Sequence, residues 1–232
     1  MPERVGHHHG HPQLRERSGP RPSRCYPSTT SRVANAVLPT RYGEFELSVY
    51  ETPGRKQELA LTVGEVDDGD PVVVRLHSEC LTGDIFGSER CDCGKQLEYS
   101  LKLLQELGRG VLLYLRQEGR GIGLLNKMYA YMLQDRGLDT VEANLALGLP
   151  EDARDYGVAA EMLRDLGAHQ VRLLTNNPAK IEGLERHGVE ILERLPLRVP
   201  HKASNLEYLK TKQRKMGHLL DTFSDAEYDR PV

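Results

Sequence analysis

GVLLYLRQEGRGIGLLNKMYAYMLQD (110–135) is the stretch on which the reading of the fold turns. It opens with a short apolar run behind Gly110, too short for a helix and rich in branched residues, which reads as a buried strand. The polar, glycine-rich segment QEGRGIG (117–123) follows, and then a helix over about 124–135. The same alternation continues on both sides. PVVVRLH (71–77) reads as a buried strand, and a helix from Lys95 to Leu107 carries Leu97, Leu101 and Leu104 on one face, with Gly108 and Gly110 beyond its end. Downstream, Tyr156, Ala159, Ala160, Leu163 and Leu166 mark an amphipathic helix, VRLLT (171–175) a strand, and PAKIEGLERHG (178–188) a helix with Pro178 in its first turn. VEILERL (189–195) is a further strand, and residues 205–220 read as helical. Upstream, FELSVYE (45–51) and LALTVG (59–64) pattern as short strands. The sum is an α/β fold, a mixed β-sheet flanked by helices with a strand-rich N-terminal part.

Composition narrows the classes. Hydrophobic residues make up 38% of the chain and charged residues 28%, enough apolar material for a core. A net charge of −3 argues against a basic nucleic-acid-binding stripe, so nucleic acid is not an expected partner. No apolar run is long enough to span a bilayer, and the first residues lack the apolar segment of a secretory signal. The 4 cysteines are then expected in a reducing, cytoplasmic setting, as thiols or metal ligands. Residues 1–37, rich in Pro, Gly, Ser, Arg and His, read as a disordered extension; 38–220 form the domain, and 221–232 a flexible acidic tail. His7, His8, His9 and His11 define no particular site, and their spacing equally fits adventitious metal binding or a cloning remnant.

Chemistry concentrates in HSECLTGDIFGSERCDCG (77–94), where Cys80 follows a buried strand and Cys91 and Cys93 form a Cys-x-Cys pair before a helix. Three thiolates suit zinc and leave one tetrahedral corner for water, the arrangement of a catalytic ion. A structural zinc closed by Cys25 or a histidine fits the same spacing. So do a redox pair, though without Cys-x-x-Cys spacing, and three inert buried thiols.

RLHSECLTGDIFGSERCDCGKQLEYSL, LYLRQEGRGIGLLNK, DTVEANLALGLPEDARDYGVAAEMLRDLG, VRLLTNNPAKIEGLERHGVEI and KTKQRKMGHLL, in that order, resemble the GTP cyclohydrolase II family over about 38–220. The resemblance implies hydrolysis of GTP to formate, pyrophosphate and a diaminopyrimidine ribosylamine phosphate, the first committed step to riboflavin. It implies one zinc ion on Cys80, Cys91 and Cys93, Mg²⁺ with the GTP phosphates, and a homodimer. Its nucleotide contacts fall on Arg75, Leu76, His77, Ser78, Glu79, Gln96, Glu118, Gly119, Arg120, Thr140, Thr175 and Lys180. Its catalytic residues fall on Tyr131, Asp152 and Arg154, with Asp152 as proton acceptor. Arg75, Arg120, Arg154 and Lys180 are the expected triphosphate partners. Glu118 is of the right type to accept the guanine N–H donors.

Each of these positions also has an ordinary explanation. Cations at strand ends are commonly solvated, Tyr131 on an amphipathic helix is commonly core, and Asp152 is a natural helix cap. Gly119, Gly121 and Gly123 fit a phosphate loop or a simple turn. Arg154 is expected to act electrostatically, because a guanidinium pKa above about 12 makes a poor nucleophile. Many bacterial relatives carry an N-terminal dihydroxybutanone phosphate synthase domain for which this chain leaves no room, so it is expected to be monofunctional. Two other readings stand beside this one: a specialised paralogue that stops at the formamidopyrimidine, and a zinc-stabilised binding protein without activity.

Overall fold

The computed structural model describes residues 29–150, 152–199, 209–211, 213–214 and 217–219. The histidine cluster, Cys25 and the tail 221–232 lie outside them. A seven-stranded mixed sheet runs in the order β1-β2-β3-β5-β4-β6-β7. Its strands are β1 (Ser31–Thr40), β2 (Gly43–Glu51), β3 (Gln57–Val63), β4 (Val72–Ser78), β5 (Gly110–Leu115), β6 (Gln170–Leu174) and β7 (Glu190–Leu195). The first three strands and β5 pair antiparallel; β5, β4, β6 and β7 pair parallel. The α/β class read from the sequence is the class observed.

Alternation along the two central strands sorts their side chains between two cores. Val74 and Leu76 of β4 and Val111, Leu113 and Leu115 of β5 pack with Ala159, Ala160 and Leu163 of α5 (Gly157–Asp165) and Leu184 of α6 (Pro178–Arg186). Val73 and Leu112 pack on the opposite face against Leu101 and Leu104 of α2 (Cys93–Leu107). Arg75 and His77 belong to that second face, and their polar ends reach beyond its apolar patch. Gly108 ends α2 in the left-handed conformation, at φ 66°.

Three boundaries differ from the sequence reading. Ser31–Val37 are not an extension: they pair antiparallel with β2, with a register shift at Val33. Their pattern failed to signal a strand because β1 is exposed on both faces, so no alternation was imposed on it. α2 starts at Cys93 rather than Lys95, and two short helices were not anticipated, α1 (Leu81–Asp84) and α4 (Thr140–Ala146). α4 has a complete capping box, Asp139 with Glu142, that marks its start. The helix expected over 205–220 is present at 209–211 and 213–214, and residues 217–219 are not helical. Gly217, at φ 64°, has the conformation of a helix stop.

The chain leaves β4 for β5 on one side and later returns to add β6 on the other. The crevice at the carboxyl end of β4 is therefore the topological switch point, where ligands of open α/β sheets bind.

Candidate active site

β4 ends at Ser78, and α1 follows directly with Cys80 as its N-cap residue. Cys91 and Cys93 return at the start of α2, bringing the three Sγ atoms within 4.8 Å of one another. The Cys80–Cys91 separation is 3.7 Å, and tetrahedral zinc with bonds of ~2.3 Å puts its sulfurs about 3.8 Å apart. Gly83 makes room for this trio: a Cβ there would stand 2.8 Å from Cys91 Sγ, 3.1 Å from Cys93 Cβ and 3.2 Å from Cys80 Sγ. Among the described residues no fourth His, Cys, Asp or Glu joins the group. The donor set therefore fits three ligands of a tetrahedral zinc ion.

Charge around the sulfurs is arranged on two sides. Hydrogen bonds from the Cys91 and Cys93 thiols, with the nearby Lys127 ammonium, hold the Cys80 thiol far below its ordinary pKa. The shared hydrogen bond with Cys80 pushes Cys91 up to about 11. Lys127, on α3 (Leu124–Gln134), donates to Cys80 Sγ at 3.2 Å, Thr82 Oγ1 at 3.0 Å and Glu118 Oε1 at 2.8 Å. Its three ammonium donors are thus all used. Burial opposes that charge, but Glu118 and Cys80 more than offset it and hold the pKa above the usual lysine range. On the other side Asp84 accepts from His77 Nε2 at 3.0 Å, Tyr114 Oη at 2.8 Å and the Cys80 backbone N–H at 2.9 Å. Burial lowers the pKa of His77, so the ring is neutral and donates through Nε2. These bonds orient the ligand loop from behind, as outer-shell partners do in metal sites.

The trio sits on the rim of a cavity of about 520 Å³, a size that suits a small-molecule ligand. Arg75, His77, Ser78, Glu79, Gln96, Glu118, Gly119, Arg120, Tyr131, Thr140, Arg154, Thr175 and Lys180 all line it. Two expected residues do not. Leu76 is fully buried in the α5 and α6 core, because alternation turns it away from its neighbours; its carbonyl accepts from Lys180 Nζ at 2.6 Å. Asp152 stands behind Arg154, gripping Nε and a terminal nitrogen of its guanidinium. Burial opposes the Asp152 charge, but the Arg154 hydrogen bonds win and hold its carboxyl below the ordinary range.

Several expected contacts prove to be internally engaged. The Glu118 carboxylate accepts from Leu81 N at 2.6 Å, Gly119 N at 2.8 Å and Lys127 Nζ. It braces the ligand loop against α3 while also lining the cavity. Arg75 donates to Gln96 Oε1 at 2.7 Å and to the Leu174 carbonyl at 3.1 Å, and burial lowers its pKa to about 10. The amides of Gly119, Gly121 and Gly123 all donate within the turn, to Glu118 Oε1, Gln117 O and Glu118 O. QEGRGIG thus forms a hydrogen-bonded turn, and Gly119 lines the cavity. Arg120, which lines the cavity, leaves both terminal guanidinium nitrogens buried without a partner among the described residues. Tyr131 lines the cavity with Arg90 over its ring at 4.9 Å, whereas Tyr129 is 45% exposed, so the register that favours Tyr131 is the one seen.

Sequence reasoning missed Lys127, which lines the cavity, and Asp84. Lys127 lies four residues before Tyr131 and so shares its helix face, a signal the sequence offered. Nothing local marked Asp84 as the brace of Cys80.

A three-thiolate metal pocket beside a cation-bearing crevice at the switch point of an α/β sheet is the layout of a metalloenzyme. The chain belongs to the GTP cyclohydrolase II family, whose sequence profile matches residues 31–196. It is 54% identical over 199 residues to the riboflavin biosynthesis protein RibBA of Bacillus cereus (strain ATCC 14579), covering 85% of this chain and 50% of that protein. The RibBA proteins of Bacillus mycoides and Bacillus cytotoxicus are also 54% identical, with the same coverage. The chain thus spans about half the length of these relatives. A solved structure, RibBX from A. baumannii, a two-domain 3,4-dihydroxy-2-butanone 4-phosphate synthase, aligns with a TM-score of 0.43 at 22% identity over 73% of this chain and 41% of that one. That likeness is too weak to inform the site.

Proposed function

We propose that this chain hydrolyses GTP at guanine C8, opening the imidazole ring and releasing formate and pyrophosphate, as the first step of riboflavin biosynthesis. The observation that carries the reading is the sulfur trio lining a cavity that arginines also line. Family membership and the RibBA relatives support it.

Cys80, Cys91 and Cys93 would hold a zinc ion, which would supply Lewis acidity and activate water near neutral pH. The protein's own residues do the rest. Arg120 and Arg154 receive the phosphate charge; Arg154 is pre-aimed by its two-point grip on Asp152. So paired, Arg154 stabilises charge rather than attacking phosphorus. Asp152, ionised at neutral pH and bound to Arg154, is the expected proton acceptor only once it releases that guanidinium. Tyr131, its hydroxyl protonated because burial raises its pKa, orients the hydrated base through its O–H. Mg²⁺ accompanies the triphosphate, and the working form is a homodimer in the cytoplasm.

Purified, zinc-loaded protein incubated with GTP and Mg²⁺ should release formate and pyrophosphate in equal amounts. Cys91→Ser should lose both zinc and turnover. Intact GTP after incubation with zinc-loaded protein sinks the reading. Retention of the formyl carbon, seen by mass spectrometry, would move the chain to the specialised paralogues.

A further inference from the structure

Asn177 is the N-cap of α6 and is only 5% exposed, yet it lines the cavity. Its Oδ1 accepts from Ala179 N at 3.0 Å, and its own backbone N–H donates to Thr175 Oγ1 at 3.1 Å. The cap settles which end of the amide is which: oxygen toward the helix, nitrogen away from it. Nδ2 is then left buried with no partner among the described residues. A buried donor without a partner is unfavourable, and native proteins rarely keep one unless something else fills the role. α6 runs for nine residues, so its first turn is the positive end of a real helix dipole. Lys180 stands in that same turn, and Arg120, whose two terminal nitrogens are buried without a partner among the described residues, lines the same cavity. An acceptor entering here meets positive potential, which selects an anionic oxygen over a neutral carbonyl.

We infer that Asn177 is a further nucleotide contact, donating through Nδ2 to a phosphoryl oxygen seated at the N-terminus of α6. The assignment deepens the reading of the cavity as a nucleotide site and rests on it. Asn177 is a binding residue on this view, not a catalytic one.

Two substitutions separate the donor from the cap. Asn177→Asp keeps the oxygen that caps Ala179 and replaces the amino group with an acceptor. Asn177→Ser also caps well but removes the donor without adding charge. Calorimetric titration of the zinc-loaded protein with inorganic triphosphate, and separately with guanosine, reads the two ends of the nucleotide independently of turnover. Asn177→Ser should weaken triphosphate binding about tenfold or more, the worth of a hydrogen bond to a charged group. Asn177→Asp should weaken it further, and both should bind guanosine like the wild type with unchanged thermal midpoints. Loss in Asn177→Asp alone would mean distant repulsion and overturn the assignment, as would loss of guanosine binding with triphosphate unaffected, or no change in either. Wild-type protein that binds triphosphate but leaves GTP intact would instead count against the proposed function, leaving the contact standing.

Discussion

At the scale of single residues, the site depends on a side chain that is missing. Gly83 is buried against all three cysteines, and no larger residue fits without moving sulfur. The nearest approach, 2.8 Å to Cys91 Sγ, is closer than Cβ atoms tolerate. Gly83→Ala should therefore reduce bound zinc well below one ion per chain, measured by a chromophoric chelator, while the far-ultraviolet circular dichroism stays that of the wild type. Full zinc occupancy in that variant would show that the loop yields easily and that the cradle reading is wrong. Glu118 makes the complementary point. A carboxylate on a glycine-rich turn suggests a ligand contact, yet three internal donors occupy it. Which acceptor is spent and which is spare depends on partners as distant in sequence as Leu81, and no local pattern encodes that.

At the scale of elements, the Glu118–Gly121 turn is the joint between the metal side and the Arg154 side. Gly119 and Arg120 both take positive φ, at 62° and 61°, and Ala153 N donates back to the Arg120 carbonyl at 3.0 Å. Gly121, at φ 90°, lies so close to the 152–155 segment that a Cβ would stand 2.8 Å from the Ala153 carbonyl oxygen. Gly121→Ala combines backbone strain of roughly 1–3 kcal/mol with that clash. It should push Asp152 and Arg154 away from the cavity and lower kcat/KM for GTP by tenfold or more, with zinc content unchanged. Steady-state kinetics beside a zinc assay distinguishes this from general unfolding; unchanged kinetics would free the turn of that role. The glycines were legible in the sequence, but their purpose was not. They serve close packing and a left-handed turn, and their amides are already engaged.

At the scale of the whole molecule, stability is tied to acid through His77, buried between β4 and α1 and neutral in the fold. Its folded pKa lies below the unfolded value of about 6.5. Between those two values the unfolded chain holds the extra proton, so stability rises with pH there. The contribution is complete above about pH 6.5 and is lost as pH falls through that value toward the lower folded pKa. Urea midpoints measured from pH 7.5 to 5.5, with a chelator present so that zinc release does not contribute, should fall on acidification. His77→Gln should show a shallower fall, and an identical slope would remove His77 from the account. What the sequence by itself determined is the α/β class, most strand and helix positions, the cysteine trio and about half of the cavity's lining. These follow from periodicity, from thiolate chemistry and from collinear motifs, all of which are local. Only the tertiary structure decided that Ser31–Val37 join the sheet, that Leu76 turns into the core, that Glu118 is internally braced and that Asn177 keeps a donor in reserve. Each of those turns on which surface a residue meets across the fold, and burial and hydrogen-bond satisfaction are properties of both partners at once.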